Sequence, residues 1–426
     1  MNHCGLRIAD WGLGKSRLLA GGLCLGLLLC VALLAPAPAQ DKDQDKKAKP
    51  TAAKDKDEPP PLAPRVVGTV LFPPRTDLQR ISSADELFAV AVPNPHAGPG
   101  AKPTVSANEM AAKALDHIRK SQHADDGSWG DKQWPQNAGV TALCCLALFA
   151  EGSLPRQGPS GTQLARGLEF LLNNCKEDGQ IVARDVYTHG PMYDHSWATL
   201  CLLQAHGNMP WRRDLRDKIS RAIQLLLKYQ HVDGGWRYKM MREGNSDTLV
   251  TLNVLYALRL AVRSGFSVPA ETVDRAVAFI KARALKDGDR FNGRWEYLPG
   301  GQPGSATVSA CGAIALYMVA RDPNDFKDPR ILATIEYLDS FHKRHTVPDL
   351  LEMSYAHYGS FYISQAMYVA GNDYWHPYYK KMLEVFAASQ KADGQFEDQA
   401  GNSVYPTAAA AIVLQAPRGY WPLYLR

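Results

Sequence analysis

The densest polar constellation in the chain is Tyr193-Asp194-His195-Ser196-Trp197. A carboxylate beside an imidazole is a pairing that general acid–base chemistry uses, because each group tunes the other's proton affinity. The competing reading is a helix-start cap with an aromatic gasket. A second acid, Asp247 in Ser246-Asp247-Thr248, stands at the expected start of an apolar helix. Asp is a preferred N-cap, and that is its simpler role. A functional role is compatible with capping, because such helix starts should rim a cavity mouth. His195, Asp247 and His357 are a conceivable metal set, but no short ligand spacing supports it, and no cofactor is expected. Residues 355–379 hold nine aromatics in 25 positions against 9% overall, which marks them as a wall. Tyr355, Tyr358 and Tyr362 share one helix face at i, i+3, i+7. With His357 and Trp197 they are the expected cavity lining. Such a wall suits a flat apolar or cationic ligand, or else it is plain packing of bulky side chains. Asp349 and Glu352, just before it, are fallback acids.

These residues need a scaffold, and a recurring phrase supplies one. An amphipathic segment ends in Gln and leads to an Asp-Gly turn closed by an aromatic residue. It runs from Ala114 through Gln122 to Trp129, from Ala222 through Gln230 to Trp236, and from Met382 through Gln390 to Phe396. Weaker copies span 167–179 and 276–295, and a degenerate one starts at Thr334. A second phrase follows each: an apolar, small-residue-rich segment with a hydroxyl near its start. Thr141, Thr199, Thr251, Thr307, Ser360 and Thr407 fall in register, with steps of 58, 52, 56, 53 and 47 residues. Ile223, Leu226 and Leu227 give the first segment a one-sided helical pattern. The Gly after Asp is expected to stop that helix in the left-handed conformation. The second segment is apolar all round, so it must be buried. Six hairpins of about fifty residues then give an all-α fold. It is an (α/α)6 toroid of about twelve helices, the apolar ones inside and the amphipathic ones outside. An open solenoid is the alternative.

The Gln…Asp-Gly-x-Trp phrase resembles the QW repeat of the prenyltransferase and squalene-oxidase repeat proteins. That superfamily of terpene cyclases and protein prenyltransferases shares the α/α toroid. The resemblance covers about residues 107 to 426. Gln122/Trp129 and Gln230/Trp236 match well, whereas Cys175-Lys-Glu-Asp-Gly-Gln180 lacks both the Gln and the Trp. The closing stretch from Tyr405 to Tyr424 is similar to the last repeat of exported bacterial members. The resemblance implies that the repeat's Gln and Trp tie neighbouring outer helices together. It also names chemistry that can be checked. No D-x-D-D acid cluster of protonation-initiated cyclases occurs, and no D-D-x-x-D cluster for diphosphate-bound magnesium. No Asp stands two before a Cys, as the prenyltransferase zinc site requires. Cys311-Gly312-Ala313-Ile314 departs from a thioester Cys-Gly-Glu-Gln at two positions.

The ends of the chain bound its setting. Arg7, Lys15 and Arg17 precede the apolar run Leu18–Leu34, followed by Ala-Pro-Ala-Pro-Ala. That order describes a secretory signal, with cleavage expected after Ala39; an uncleaved anchor is the alternative. Cys24 and Cys30 each follow Leu, unlike a lipid-attachment site. The expected domains are a signal at 1–39, a disordered charged and Pro-rich linker at 40–104 with at most a short element around Ala84 to Val92, and the toroid at 105–426. The expected location is periplasmic or extracellular, with a membrane contact only through an uncleaved anchor. The five cysteines that remain are odd in number and form no disulfide framework. The 48 basic against 43 acidic residues give no electrostatic reason to expect nucleic acid.

Two functions are compatible with this reading. One is a terpene-cyclase-like or prenyltransferase-like toroid holding an apolar, isoprenoid-type small molecule, with Asp247 or the Asp194/His195 pair as candidate catalytic groups. The other is a non-catalytic binding or scaffold module with a protein partner. A sugar-cleaving barrel is a distant third, because it needs two cavity carboxylates at a defined separation.

Overall fold

The computed structural model describes residues 90–96, 104–183, 187–320, 323–353 and 355–418. The expected signal, and the linker before residue 90, lie outside the described residues. Six helical pairs follow in order. They are α1 (Ala107–Lys120) with α2 (Ala138–Ala150), α3 (Gly161–Asn173) with α4 (Pro191–Ala205), and α5 (Leu215–Lys228) with α6 (Thr248–Arg263). Next come α7 (Ala270–Lys281) with α8 (Ala306–Val319), then α9 (Pro329–Arg344), a short α10 (Val347–Leu351) and α11 (Ala356–Ala370). The last pair is α12 (Asn372–Ser389) with α13 (Val404–Leu414).

The second member of each pair is the inner one. Every residue of α2 and of α13 is buried, as sequences apolar but for one threonine and, in α13, one tyrosine hydroxyl require. Inner helices pack side by side in the order α2, α4, α6, α8, α11 and α13, and α13 returns to α2. The ring is therefore closed, which makes the fold an all-α (α/α)6 toroid. The open solenoid is excluded. The degenerate fifth unit has no Asp-Gly turn; α10 takes its place, so thirteen helices are described instead of twelve.

The repeat residues hold this ring. Gln122 Nε2 donates to the carbonyls of Gly127 and of Gln163 on α3, at 2.8 and 2.9 Å. Gln230 repeats the pattern with Gly234 and with Thr272 on α7. Gln390 donates to Gly394 and to Met110 on α1, which joins the sixth unit to the first. The indole N–H groups of Trp129 and Trp236 donate to the carbonyls of Ile118 and Leu226, in the last turn of their own outer helices. The register hydroxyls also have a reason. Thr141, Thr251 and Thr407 accept the backbone N–H of Trp129, Trp236 and Phe396 at 2.9, 3.0 and 2.9 Å.

One expectation needs correction. The turn glycines do not stop the outer helices: α1 already ends at Lys120, with Ser121 as its C-cap, before Gly127. Gly127 and Gly234 are left-handed, at φ +80° and +96°. A Cβ there would stand 2.8 and 2.4 Å from the carbonyl oxygens of Arg166 and Arg275 on the next outer helix. Close approach of backbones is their use. The one short element expected in the lead-in overlaps a strand that the structure describes there. Ala91–Pro93 forms a strand, β1, antiparallel to β2 (Thr104–Ser106), with Val92 opposite Val105. The pairing is worth making because Val92 is 1% exposed and β1 lies against α12. A second hairpin, β3 (Ala284–Asp287) and β4 (Arg290–Trp295), takes the place of the fourth turn.

Candidate functional site

Residues at or just before the starts of α2, α4, α11 and α13 converge on one concave site at the ring mouth. Its free volume is about 40 Å³. A water needs roughly 10–15 Å³ of such space, so about three waters fit. Gly139, Asp194, Trp197, Tyr355, Tyr358 and Tyr405 are among the lining residues.

Asp194 is the carboxylate of this site and is 1% exposed. Its Oδ2 accepts from Asn137 Nδ2 at 2.8 Å and from the Thr188 N–H at 3.0 Å; its Oδ1 accepts from the Thr188 hydroxyl at 2.5 Å. Burial raises its pKa to about 6, and these donors hold it below where burial alone would put it. Position in the first turn of α4 adds the favourable end of the helix dipole. Gly139 makes room for it: a Cβ there would stand 2.5 Å from Oδ1.

Beneath the mouth the ring axis is filled by tyrosines. Tyr193 and Tyr358 share a hydrogen bond between hydroxyls at 2.6 Å, and Tyr358 and Tyr362 another at 2.8 Å. Tyr362 donates to Asn253 Oδ1 at 2.9 Å, and Trp197 Nε1 donates to the Tyr358 hydroxyl at 3.1 Å. Burial pushes all three tyrosine hydroxyls up, so each stays protonated and can serve as donor and acceptor. Trp197, Tyr355 and Tyr358 line the mouth cavity, and Tyr362 lies below them. His357 points elsewhere. It packs on Phe386 and Phe396 and meets Ser389 Oγ on α12 at 3.1 Å. The second half of the aromatic stretch is packing: Trp375 stacks on Tyr379, whose hydroxyl donates to the Leu414 carbonyl.

His195 adjoins Asp194 in sequence but not in chemistry. Its Nδ1 accepts the Ile181 N–H and its Nε2 meets the Ala222 carbonyl on α5, both at 3.1 Å. Both ring nitrogens are used, and burial lowers its pKa to about 4. The imidazole thus bridges the second turn to the next outer helix, in the unit that lacks the repeat's Trp.

Asp247 is the N-cap of α6: its Oδ1 accepts the Val250 N–H at 2.8 Å. Its Oδ2 is buried with no hydrogen-bond partner. Burial raises the carboxyl to about 7. The Val250 N–H and the positive charge of Arg237 draw it back only in part. Asp247 does not line the mouth cavity. Asp349 closes a capping box with Thr346 at the start of α10. Among the described residues, no group of three His, Cys, Asp or Glu side chains can hold a metal ion. None of their helices is long and apolar enough to cross a membrane.

Sequence reasoning missed His189, Thr188, Trp134, Tyr238 and Tyr405 at the mouth. They lie in connections or at helix starts of several different units, and only ring closure gathers them.

No protein-family model matches the chain, and no curated protein matches it. Solved structures match it in architecture. An α-1,6-mannanase, GH76A from Salegentibacter sp. HEL1_6, aligns over 74% of this chain and 100% of its own, at 8% identity and a TM-score of 0.54. A type II terpene cyclase, MstE from Scytonema, aligns over 74% of this chain and 99% of its own, at 13% identity and a TM-score of 0.50. The chain has their fold. At such identities the likeness goes no further, and those two names describe unrelated chemistries, so the toroid alone selects neither.

Proposed function

We propose that the chain is an exported toroid that binds a small molecule at its ring mouth. The observation that carries this reading is the mouth itself: an aromatic-lined concavity with one buried, hydrogen-bonded carboxyl at its edge. Aromatic walls with few placed polar groups are the usual make-up of small-molecule sites. Membership of the prenyltransferase and squalene-oxidase repeat group, and an apolar isoprenoid-type ligand, are the finer forms of the proposal. They are supported by the QW phrases and the shared toroid. A free volume of about 40 Å³ is several-fold below the roughly 300 Å³ that drug-sized ligands occupy. An isoprenoid would therefore bind by its end at the mouth, or by displacing Tyr358 and its neighbours.

Catalysis is the second reading, and Asp247 favours it. A carboxyl near pKa 7 with a vacant oxygen is poised to give up a proton at neutral pH. Its separation from the mouth cavity weighs against it. Asp194 then serves to hold the ligand end, and His195 to position the second turn.

Extraction and mass spectrometry of the purified protein, with Asp247→Asn and Tyr358→Ala beside the wild type, tests both. The binding reading expects a small molecule with wild type and Asp247→Asn, lost in Tyr358→Ala. A converted product that disappears in Asp247→Asn establishes catalysis. No bound molecule in any sample sinks the ligand reading and leaves the non-catalytic scaffold module.

A further inference from the structure

His189 belongs to no repeat phrase, yet it occupies the centre of the mouth. Four rings surround it: Trp134, Tyr193, Tyr238 and Tyr355, with centroids 5.8, 5.5, 6.0 and 5.9 Å from its own. The walls tilt around it at 32° to 65° rather than stacking on it. Each wall comes from a different unit. A cation within about 6 Å of an aromatic centroid is attracted by the ring face, so this enclosure has the dimensions of a cation cage.

The imidazole fills that cage poorly. Its Nδ1 is buried without a hydrogen-bond partner. Burial also pushes its pKa below the ordinary value, so it sits there neutral. Aromatic walls give a ring nitrogen neither a lone pair nor a good donor. A quaternary ammonium has no N–H to satisfy and carries a permanent charge, so the same walls suit it better. The adjacent Asp194 carboxylate accepts hydrogen bonds only from neutral groups, Asn137 and Thr188, and no basic side chain is among the groups that set its proton affinity. A cation in the cage supplies the missing counter-charge.

Strain gathers at the same place. The described non-glycine residues with left-handed φ are Lys132, Gln136, Arg156 and Tyr355. Lys132 and Gln136 flank Trp134, and Tyr355 is itself a wall. Such backbone persists where surrounding structure enforces it, and it concentrates at ligand clamps.

We propose that this cage is a binding site for an organic cation with a quaternary ammonium head, with the His189 imidazole as its built-in occupant and Asp194 as the counter-charge. The inference rests on the mouth being a small-molecule site and names the ligand's class. Titration calorimetry on the full chain tests it with two probes, choline and its uncharged isostere 3,3-dimethylbutan-1-ol. The expected result is that His189→Gly binds choline at least ten-fold more tightly than wild type does. Choline should also bind His189→Gly at least ten-fold more tightly than the isostere. Adding Tyr238→Leu to His189→Gly should remove at least ten-fold of that affinity. Equal binding of both probes overturns the cation assignment and leaves the small-molecule site standing. Binding of neither probe to folded His189→Gly overturns the inference. If that variant does not fold, the smaller change His189→Ala takes its place in the same titrations. Tighter binding of choline than of the isostere to it supports the cage, and binding of neither probe refutes it.

Discussion

Replacing Asp247 by Asn should stabilise the protein, and by more at high pH. The carboxyl is raised from 3.8 to about 7, with burial as the first cause. In the unfolded chain it ionises near pH 4, so folding takes up a proton between about pH 4 and pH 7. The stability it contributes is thus fully present below the unfolded pKa and lost as pH rises through the folded one. At about 1.4 kcal/mol per unit, keeping this carboxyl buried costs the fold about 2 kcal/mol at pH 5, where it must take up a proton, and about 4 kcal/mol at pH 8, where it must be buried charged. Asn keeps the cap, because its carbonyl can accept the Val250 N–H as Oδ1 does now. It carries no charge to desolvate. The gain of Asp247→Asn should therefore double between these two pH values. Over roughly 300 folded residues, about 4 kcal/mol corresponds to about 6 °C in Tm. Urea unfolding at pH 5 and pH 8 measures it directly. Asp194 titrates in the same direction, but it is present in both proteins and cancels in the difference. A gain that is equal at both pH values, or a loss at pH 8, would refute the account of Asp247 as a desolvated cap.

Three further outcomes follow from the same contacts. Gly234→Ala should cost more than about 2 kcal/mol, since strain adds to a Cβ placed 2.4 Å from the Arg275 carbonyl. Gly265→Ala, at a similar φ but with nothing within 4 Å, should cost only about 1 kcal/mol; urea midpoints compare them. Gln390→Ala should cost about 1–3 kcal/mol and speed hydrogen exchange in α1 more than in α5. It leaves the carbonyls of Met110 and Gly394 without their donor and loosens the joint between last and first units. Thr188→Val should move the Asp194 pKa upward from about 6, read by carboxyl carbon NMR, because it removes a donor that favours the ionised form.

The ring was legible in the sequence because its determinants are local. A Gln, a turn glycine and an aromatic recur within one phrase, and an apolar helix must go inside wherever it occurs. Asp247 as a cap was legible for the same reason. The mouth was not, because its members share no spacing. Trp134, His189, Tyr238 and Tyr405 lie far apart in the chain and meet only when α13 returns to α2. The sequence did hold one unused signal. The second unit lacks the Gln and the Trp, so some other buried polar group had to join its turn to α5, and His195 does so. Read against its own repeat position, His195 looks structural; read beside Asp194, it looked chemical.

The centre of the ring decides where any ligand can go. A buried hydroxyl without a partner would destabilise the fold, yet Tyr193, Tyr358 and Tyr362 form a continuous chain that ends on Asn253. The three hydroxyls are partnered as they stand, although Asn253 Nδ2 at the end of the chain is buried without a partner, and a large ligand entering the axis would have to break those bonds. The mouth has the opposite character. It gathers a left-handed wall residue, an unpartnered imidazole nitrogen and a carboxylate with no cationic partner. The tyrosine hydroxyls below are matched within the protein, whereas the His189 Nδ1 above is not. Under the proposed binding function, a packed axis beside a rim with an unpartnered nitrogen favours the rim, where a ligand's head group rather than its bulk would be read.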